Sequence, residues 1–259
     1  MGRGNKAKKK KKEVEGNYND DDVSIVAHYR NKEVLTSGNP EIDKKMGGGI
    51  PIGSLTLIEG PNDSGKSVLT QQLLWGAAQQ GFHIAVYTTE NTIKTLLKQM
   101  DSLALNVTDF FLLGHLKIFP LSVERAECAD VNLLSTIVST VVETKIEVVI
   151  IDSLTVLTSH SSDSDILNFF TTCKNMCDSG KTFLMIIHDY AVGLNMLSRL
   201  RSMCDAHITL RLDKSDLRLV KAMEIMKIRG AQLTTGNILH FEVEPEFGLR
   251  IIPVLRARV

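Results

Sequence analysis

The chain lacks any apolar run approaching the roughly 20 residues that cross a bilayer, so no membrane-spanning helix is expected. Its lysine-rich start is not followed by an apolar stretch, which excludes a secretory signal. Cysteine is scarce: Cys128, Cys173, Cys177 and Cys204 form no CxxC and no framework spacing, which excludes a disulfide scaffold. Cys173 and Cys177 stand one helical turn apart without a second ligand pair, which reads as helix-face packing rather than a metal site. No linker rich in Pro, Gly or Ser divides the 259 residues and no internal repeat is visible, so the 43% hydrophobic composition points to one sizeable core. Net charge is also missing, 30 basic against 30 acidic residues, but its distribution is uneven. Arg3, Lys6 and Lys8 to Lys12 make the first twelve residues basic and leave the remainder acidic, which argues against a body that coats DNA.

What is present is Gly60-Pro61-Asn62-Asp63-Ser64-Gly65-Lys66-Ser67, a full match to G-x-x-x-x-G-K-[ST]. The flanking glycines permit a tight turn in which successive N–H groups point inward and make a concave anion site. Lys66 can place its ammonium on the β- and γ-phosphates, and the Ser67 hydroxyl suits Mg²⁺. Asn62, Asp63, Ser64 and Val68 complete the run expected to wrap the phosphates. Residues 54–59 read as a short buried strand and 68–80 as a helix whose N-terminal dipole adds to the site. Strand, loop and helix in that order predict binding of a nucleoside triphosphate.

Residues 1–22 are blocks of like charge that cannot bury enough apolar surface to order themselves, and they read as a disordered tail. Their Lys run suits anionic lipid, nucleic acid or an acidic surface, and equally a bland solubilising tail. From residue 23 the expected single domain begins. Strands are predicted at 84–89, 116–121, 147–151 and 182–187, with helices at 92–105, 133–144, 165–178 and 192–204. The nearly continuous apolar runs fit strands covered on both faces. From residue 206 the pattern changes to strands separated by turns, at 207–213, 220–228, 238–243 and 249–253. The expected fold is an α/β, RecA-like P-loop core with a mainly parallel sheet flanked by helices and an antiparallel extension at the C-terminal end.

Five further residues carry chemistry. Asp152 closes the apolar run 148–151, and ligands of open α/β sheets gather at carboxyl ends of strands, so Asp152 is expected beside Ser67, holding the Mg²⁺ shell as the acidic Walker B residue. Glu90 follows the next strand and suits either orientation of an attacking water or a favourable charge at the start of a helix. His188 ends another buried strand and fits either a γ-phosphate sensor or a satisfied core histidine. In Lys227-Ile228-Arg229-Gly230, alternation along a strand sets Lys227 and Arg229 on one face, either a cation pair for phosphate or a solvated strand face.

The entry 37–43, Ser-Gly-Asn-Pro-Glu-Ile-Asp, leading through Gly47-Gly48-Gly49-Ile50-Pro51-Ile52-Gly53-Ser54 into the phosphate loop, resembles the KaiC-type RecA-like ATPases. Pro40-Glu41-Ile42-Asp43-Lys44-Lys45, Ile58-Glu59-Gly60, Gln71-Gln72 and Ile151-Asp152-Ser153-Leu154-Thr155 are most similar to the FlaH (ArlH) branch, ATP-binding components of the archaellum motor. The resemblance spans roughly residues 23–259. It implies ATP and Mg²⁺ as cofactors, and Lys227 and Arg229 reaching a neighbouring subunit's nucleotide in trans. It also implies a homo-oligomeric ring, expected to be a hexamer. The implied partners are the motor ATPase FlaI and scaffold proteins of the FlaX or FlaC/FlaD/FlaE type. The expected location is cytoplasmic, peripheral to the membrane-bound motor, with no nucleic acid partner.

Two departures from the KaiC-type pattern matter. Asn91 stands where a second glutamate usually follows Glu90, and an amide takes no proton, so weak or absent hydrolysis is expected. Asp63 puts a carboxylate in the loop, where it must point outward or be paired. The leading reading is therefore a regulatory ATP-binding module. The alternatives are an active KaiC-like ATPase or autokinase and a RadB-like DNA-binding recombinase. Residues 155–165 hold no Lys or Arg, which disfavours the recombinase.

Overall fold

Apolar runs too short for helices and too continuous for half-exposed strands form the middle of one nine-stranded sheet. The structure, a computed structural model, describes residues 33–122, 132–142, 144–215, 218–231 and 238–252, within the unit Lys32–Val259. The charged tail, the expected domain start at residue 23, Cys128 and Pro253 lie outside the described residues.

The strands are β1 (Val34–Leu35), β2 (Ile50–Pro51), β3 (Leu55–Gly60), β4 (Ile84–Thr88), β5 (Leu116–Pro120), β6 (Val148–Asp152), β7 (Thr182–His188), β8 (Ala206–Ser215), β9 (Arg218–Ile228), β10 (Ile238–Glu244) and β11 (Gly248–Ile252). The helices are α1 (Pro40–Lys45), α2 (Lys66–Gln79), α3 (Ile93–Ser102), α4 (Thr108–Leu112), α5 (Leu133–Val142), α6 (Leu154–Ser159), α7 (Asp163–Asp178) and α8 (Leu194–Met203). The large sheet runs β11-β10-β9-β8-β3-β7-β6-β4-β5; β8, β3, β7, β6, β4 and β5 are parallel neighbours, and β8 to β11 are antiparallel. This is the mainly parallel sheet with an antiparallel extension that the sequence predicts. β1 and β2 form a separate antiparallel pair.

Side chains alternate across the sheet and build two cores. Along β3, Ile58 enters one core with Leu69, Leu73 and Leu74 of α2, while Leu55 and Leu57 enter the other with Phe170 of α7 and Leu200 of α8. Full burial of each such side chain contributes about 1.5–3 kcal/mol before chain entropy is counted. Cys173, Cys177 and Cys204 all pack in the second core, where burial pushes the thiols of Cys177 and Cys204 up to about 12.

Several helix starts carry side-chain caps. Asn39 caps α1 through Glu41 and Ile42 N–H, and Thr92 caps α3 through the Thr95 N–H. Ser162 and Asp165 form a capping box that begins α7 two residues before the expected start. The expected helix 92–105 ends instead at Ser102, because the chain turns through Ala104 at φ 57° before the short α4. α8 starts at Leu194 rather than 192, after Gly193 in an extended conformation.

Candidate functional site

β3 delivers the chain to the phosphate loop at the carboxyl edge of the parallel strands, and α2 carries it away. Two positions of the loop tolerate only glycine. At Gly60 (φ 154°) a Cβ would lie 2.2 Å from the Leu210 carbonyl oxygen, and at Gly65 (φ 95°) it would press on the Phe241 ring at 2.9 Å. Ser64 Oγ donates to the Pro61 carbonyl at 2.8 Å, closing the turn. Asp63 is exposed and adopts φ 58°, which its short polar side chain tolerates, and it lies near enough to Lys66 to act on its charge.

Lys66 and Ser67 belong to the first turn of α2, two residues earlier than the expected helix start. Lys66 is buried, and its Nζ donates to the carbonyls of Gly60 at 2.9 Å and Pro61 at 2.6 Å. Burial lowers its pKa, and the surrounding carboxylates of Glu90, Asp189, Asp152 and Asp63 work against that. A cavity of about 590 Å³ opens over the loop. Asn62, Asp63, Gly65, Lys66, Ser67 and Val68 line one side, and Glu90, Asp152 and His188 another. Every position predicted to hold nucleotide in cis thus faces or frames one cavity, except Gly60 and Ser64, which shape the loop from behind.

Asp152 is 4% exposed at the end of β6, and its Oδ1 has no hydrogen-bond partner among the described residues. Burial, then repulsion from Glu90, pushes its carboxyl up to about 7, against the pull of Lys66 and Ser67. A buried carboxylate oxygen with nothing to bond, beside a hydroxyl, is the donor set that a hard divalent cation takes, so Ser67 and Asp152 fit Mg²⁺. Glu90 is exposed and accepts from Ser153 Oγ at 3.2 Å; the Asn91 N–H is bonded to Thr88 Oγ1 at 3.1 Å.

His188 is neither solvent-free nor isolated. Its Nδ1 lies 2.8 Å from Thr155 Oγ1, which also accepts the His188 N–H at 3.0 Å, and burial and Lys66 lower its pKa. Its ring stacks on Tyr190 at 5.2 Å, and the Tyr190 hydroxyl reaches back to Asn62 Oδ1 at 3.3 Å. The first turn of α6, the end of β7 and the phosphate loop are therefore joined side chain to side chain.

Three residues of the site escape the sequence reading. Lys221 and Val243 line the cavity from the antiparallel extension, and Asp189 adds charge near Lys66. A signal for Lys221 exists: it alternates with Met223 and Ile225 on the apolar face of β9, where a lysine has no packing reason to stand.

Lys227 and Arg229 require a correction. β9 ends at Ile228, so they do not share a strand face; Arg229 lies in the turn before Gly230 (φ 80°), its N–H held by the Asp205 carbonyl at 3.0 Å. Register places Lys227 opposite His207, near the start of the parallel strands, whereas the phosphate loop leaves their other end. Neither residue lines this chain's own cavity.

The KaiC ATPase family model matches residues 35–256. The chain is 29% identical over 229 residues to the archaeal flagellar ATP-binding protein FlaH of Sulfolobus acidocaldarius, covering 87% of this chain and 99% of that protein. It is 27% identical to the FlaH of Methanocaldococcus jannaschii over 218 residues, 82% and 91% of the two chains. The crystal structure of the flagellar accessory protein FlaH from M. jannaschii superposes with a TM-score of 0.77 at 26% identity, covering 86% of this chain and 99% of that one. A KaiC-like protein of Pyrococcus horikoshii shares the fold, with a TM-score of 0.70 at 21% identity and coverage of 85% and 99%. Phosphate loop, buried strand-end aspartate and RecA-like sheet agree with these likenesses: the chain belongs to the KaiC ATPase family.

Proposed function

We propose that this protein is the ATP-binding regulatory component of an archaellum motor, in which nucleotide occupancy selects an assembly state. The observation that carries the ATP-binding part is the formed loop with Lys66 and the unpartnered Asp152 oxygen in one cavity. Ser67 and Asp152 would hold Mg²⁺, which would neutralise phosphate charge that the four nearby carboxylates otherwise repel. The FlaH relatives support the archaellum assignment, and the coverage of nearly their whole length supports carrying it over.

In this reading Lys227 and Arg229 contact the γ-phosphate held by a neighbouring subunit, in a homo-oligomeric ring taken to be hexameric. Their distance from the chain's own cavity favours a role in trans over one in cis. The partners are the motor ATPase FlaI and its scaffold proteins, at the cytoplasmic side of the membrane. Turnover is slow, because Asn91 supplies no second carboxylate and Glu90 is engaged with Ser153. An active KaiC-like ATPase is the second reading, favoured by the position of Glu90 on the cavity wall beside Asp152. Co-elution with purified FlaI in ATP-Mg²⁺ and not in ADP tests the proposal; co-elution independent of nucleotide, or none at all, counts against it.

A further inference from the structure

Lys227 and Arg229, far from the cavity, and β3, which feeds the phosphate loop, are fastened to the same short segment, residues 201–205. Arg201, in the last turn of α8, grips Glu59 with both arms of its guanidinium, Nε to Oε2 at 3.0 Å and Nη2 to Oε1 at 2.6 Å. Glu59 is 1% exposed and immediately precedes Gly60. Burial alone would raise its pKa, but His207 and Arg201 hold it below the usual carboxylate range, so the pair is ionic. The same Arg201 offers its main-chain oxygen to Lys227 Nζ at 2.6 Å. At Asp205 the carbonyl takes the Arg229 N–H, while its side chain accepts the Leu55 N–H at 3.0 Å and its own N–H donates to the Leu55 carbonyl at 2.8 Å. Both ends of β3 and both distal cations therefore meet on five residues.

We propose that Arg201 is a positioning residue: it sets where Lys227 can reach and, through Glu59, links that reach to the filling of the chain's own phosphate loop. The inference rests on the reading of Lys227 and Arg229 as contacts to a neighbour's nucleotide. A free lysine carries large rotamer entropy, and a helix-end carbonyl with its negative dipole narrows it to one direction. Lys66 Nζ bonds the Gly60 carbonyl, next to Glu59. Transfer of that ammonium to phosphates releases Gly60, and the adjustment passes to α8 through Glu59, which is buried and tied to Arg201 by two hydrogen bonds at once.

The experiment compares wild type with Arg201→Ala, Glu59→Gln, Lys227→Ala and Arg201→Ala/Lys227→Ala. It reads the ATP-Mg²⁺ concentration at half-assembly by light scattering, and ATP affinity by calorimetry on dilute, separated chains. Alanine keeps the carbonyl that Lys227 bonds, so Arg201→Ala reads where that carbonyl is held. Arg201→Ala is expected to raise the assembly midpoint tenfold or more with ATP affinity of separated chains within twofold. Glu59→Gln, which keeps shape and removes charge, is expected to shift it in the same direction and answers the question if Arg201→Ala does not fold. The double variant is expected to assemble no worse than Lys227→Ala. An unshifted midpoint in Arg201→Ala and Glu59→Gln, or an additive loss in the double variant, overturns the inference while Lys227→Ala remains defective. Wild-type assembly of Lys227→Ala instead removes the trans-contact reading, and the inference with it.

Discussion

The Lys66 ammonium rests 2.9 Å from the carbonyl oxygen of Gly60, so the cation that nucleotide needs is bonded to the loop's own backbone. Binding therefore exchanges two neutral acceptors, Gly60 and Pro61, for phosphate oxygens, which charge assistance makes the stronger partners. Lys66→Ala removes that gain and leaves four carboxylates near the triphosphate without it. The expected cost is about 1.5–3 kcal/mol, a loss of roughly 10- to 100-fold in ATP affinity by calorimetry. Unchanged affinity contradicts the placement of the β- and γ-phosphates over Lys66.

Asp152 supplies a pH dependence whose sign is fixed by its upward shift to about 7. Between the ordinary carboxylate range and pH 7 the folded chain holds a proton there that the unfolded chain has lost. The nucleotide-free protein should thus lose stability as pH rises from 5 to 7.5 through this group. Asp152→Asn, which cannot ionise, should flatten that part of the Tm-against-pH curve. A curve of the same slope in wild type and Asp152→Asn counts against a protonated buried Asp152.

Lys221 reaches the cavity from β9 against Gly65, its Cδ 3.3 Å from where a Gly65 Cβ would be. It puts a second cation in a cavity that Asp63, Glu90 and Asp152 also line. Lys221→Ala should weaken ATP binding by about 1 kcal/mol, and the difference from wild type should shrink as salt rises. A salt-independent loss would point to packing against Phe241 instead.

How much of this was legible in the sequence depends on how local the cause is. The loop, its two forced glycines and the strand ending at Asp152 are set by neighbours in sequence, and pattern located each. Nearly continuous apolar runs, giving way after residue 206 to strands separated by turns, likewise separated the parallel strands from the antiparallel extension. Arg229 was misplaced because its turn is fixed by the carbonyl of Asp205, on the neighbouring segment before β8. Lys221 went unread because its role depends on β9 lying beside the start of α2, a tertiary pairing. The short α1, α4 and α6 and the β1–β2 pair lack the length that periodicity needs.

Hydrolysis should be slow. Purified protein with ATP-Mg²⁺ is expected to release phosphate well below the roughly 1–100 s⁻¹ of kinases. Asn91→Glu should raise the rate several-fold by adding a second carboxylate beside Glu90, and Glu90→Gln should remove what remains. Wild-type turnover within the kinase range, abolished by Glu90→Gln, would establish the enzyme reading in place of the regulatory one.

Nucleotide-dependent assembly is the central claim, and solution mass tests it most directly. In the proposed ring, bound ATP would offer a γ-phosphate that offsets the charges of a neighbour's Lys227 and Arg229, whereas ADP would offer none. Static light scattering of wild type and Lys227→Ala/Arg229→Ala should be recorded with ATP-Mg²⁺, with ADP and without nucleotide. The account predicts a ring-sized mass for wild type in ATP-Mg²⁺ alone and small species for the double variant in all three. A wild-type mass indifferent to nucleotide, or a double variant that assembles like wild type, would contradict it.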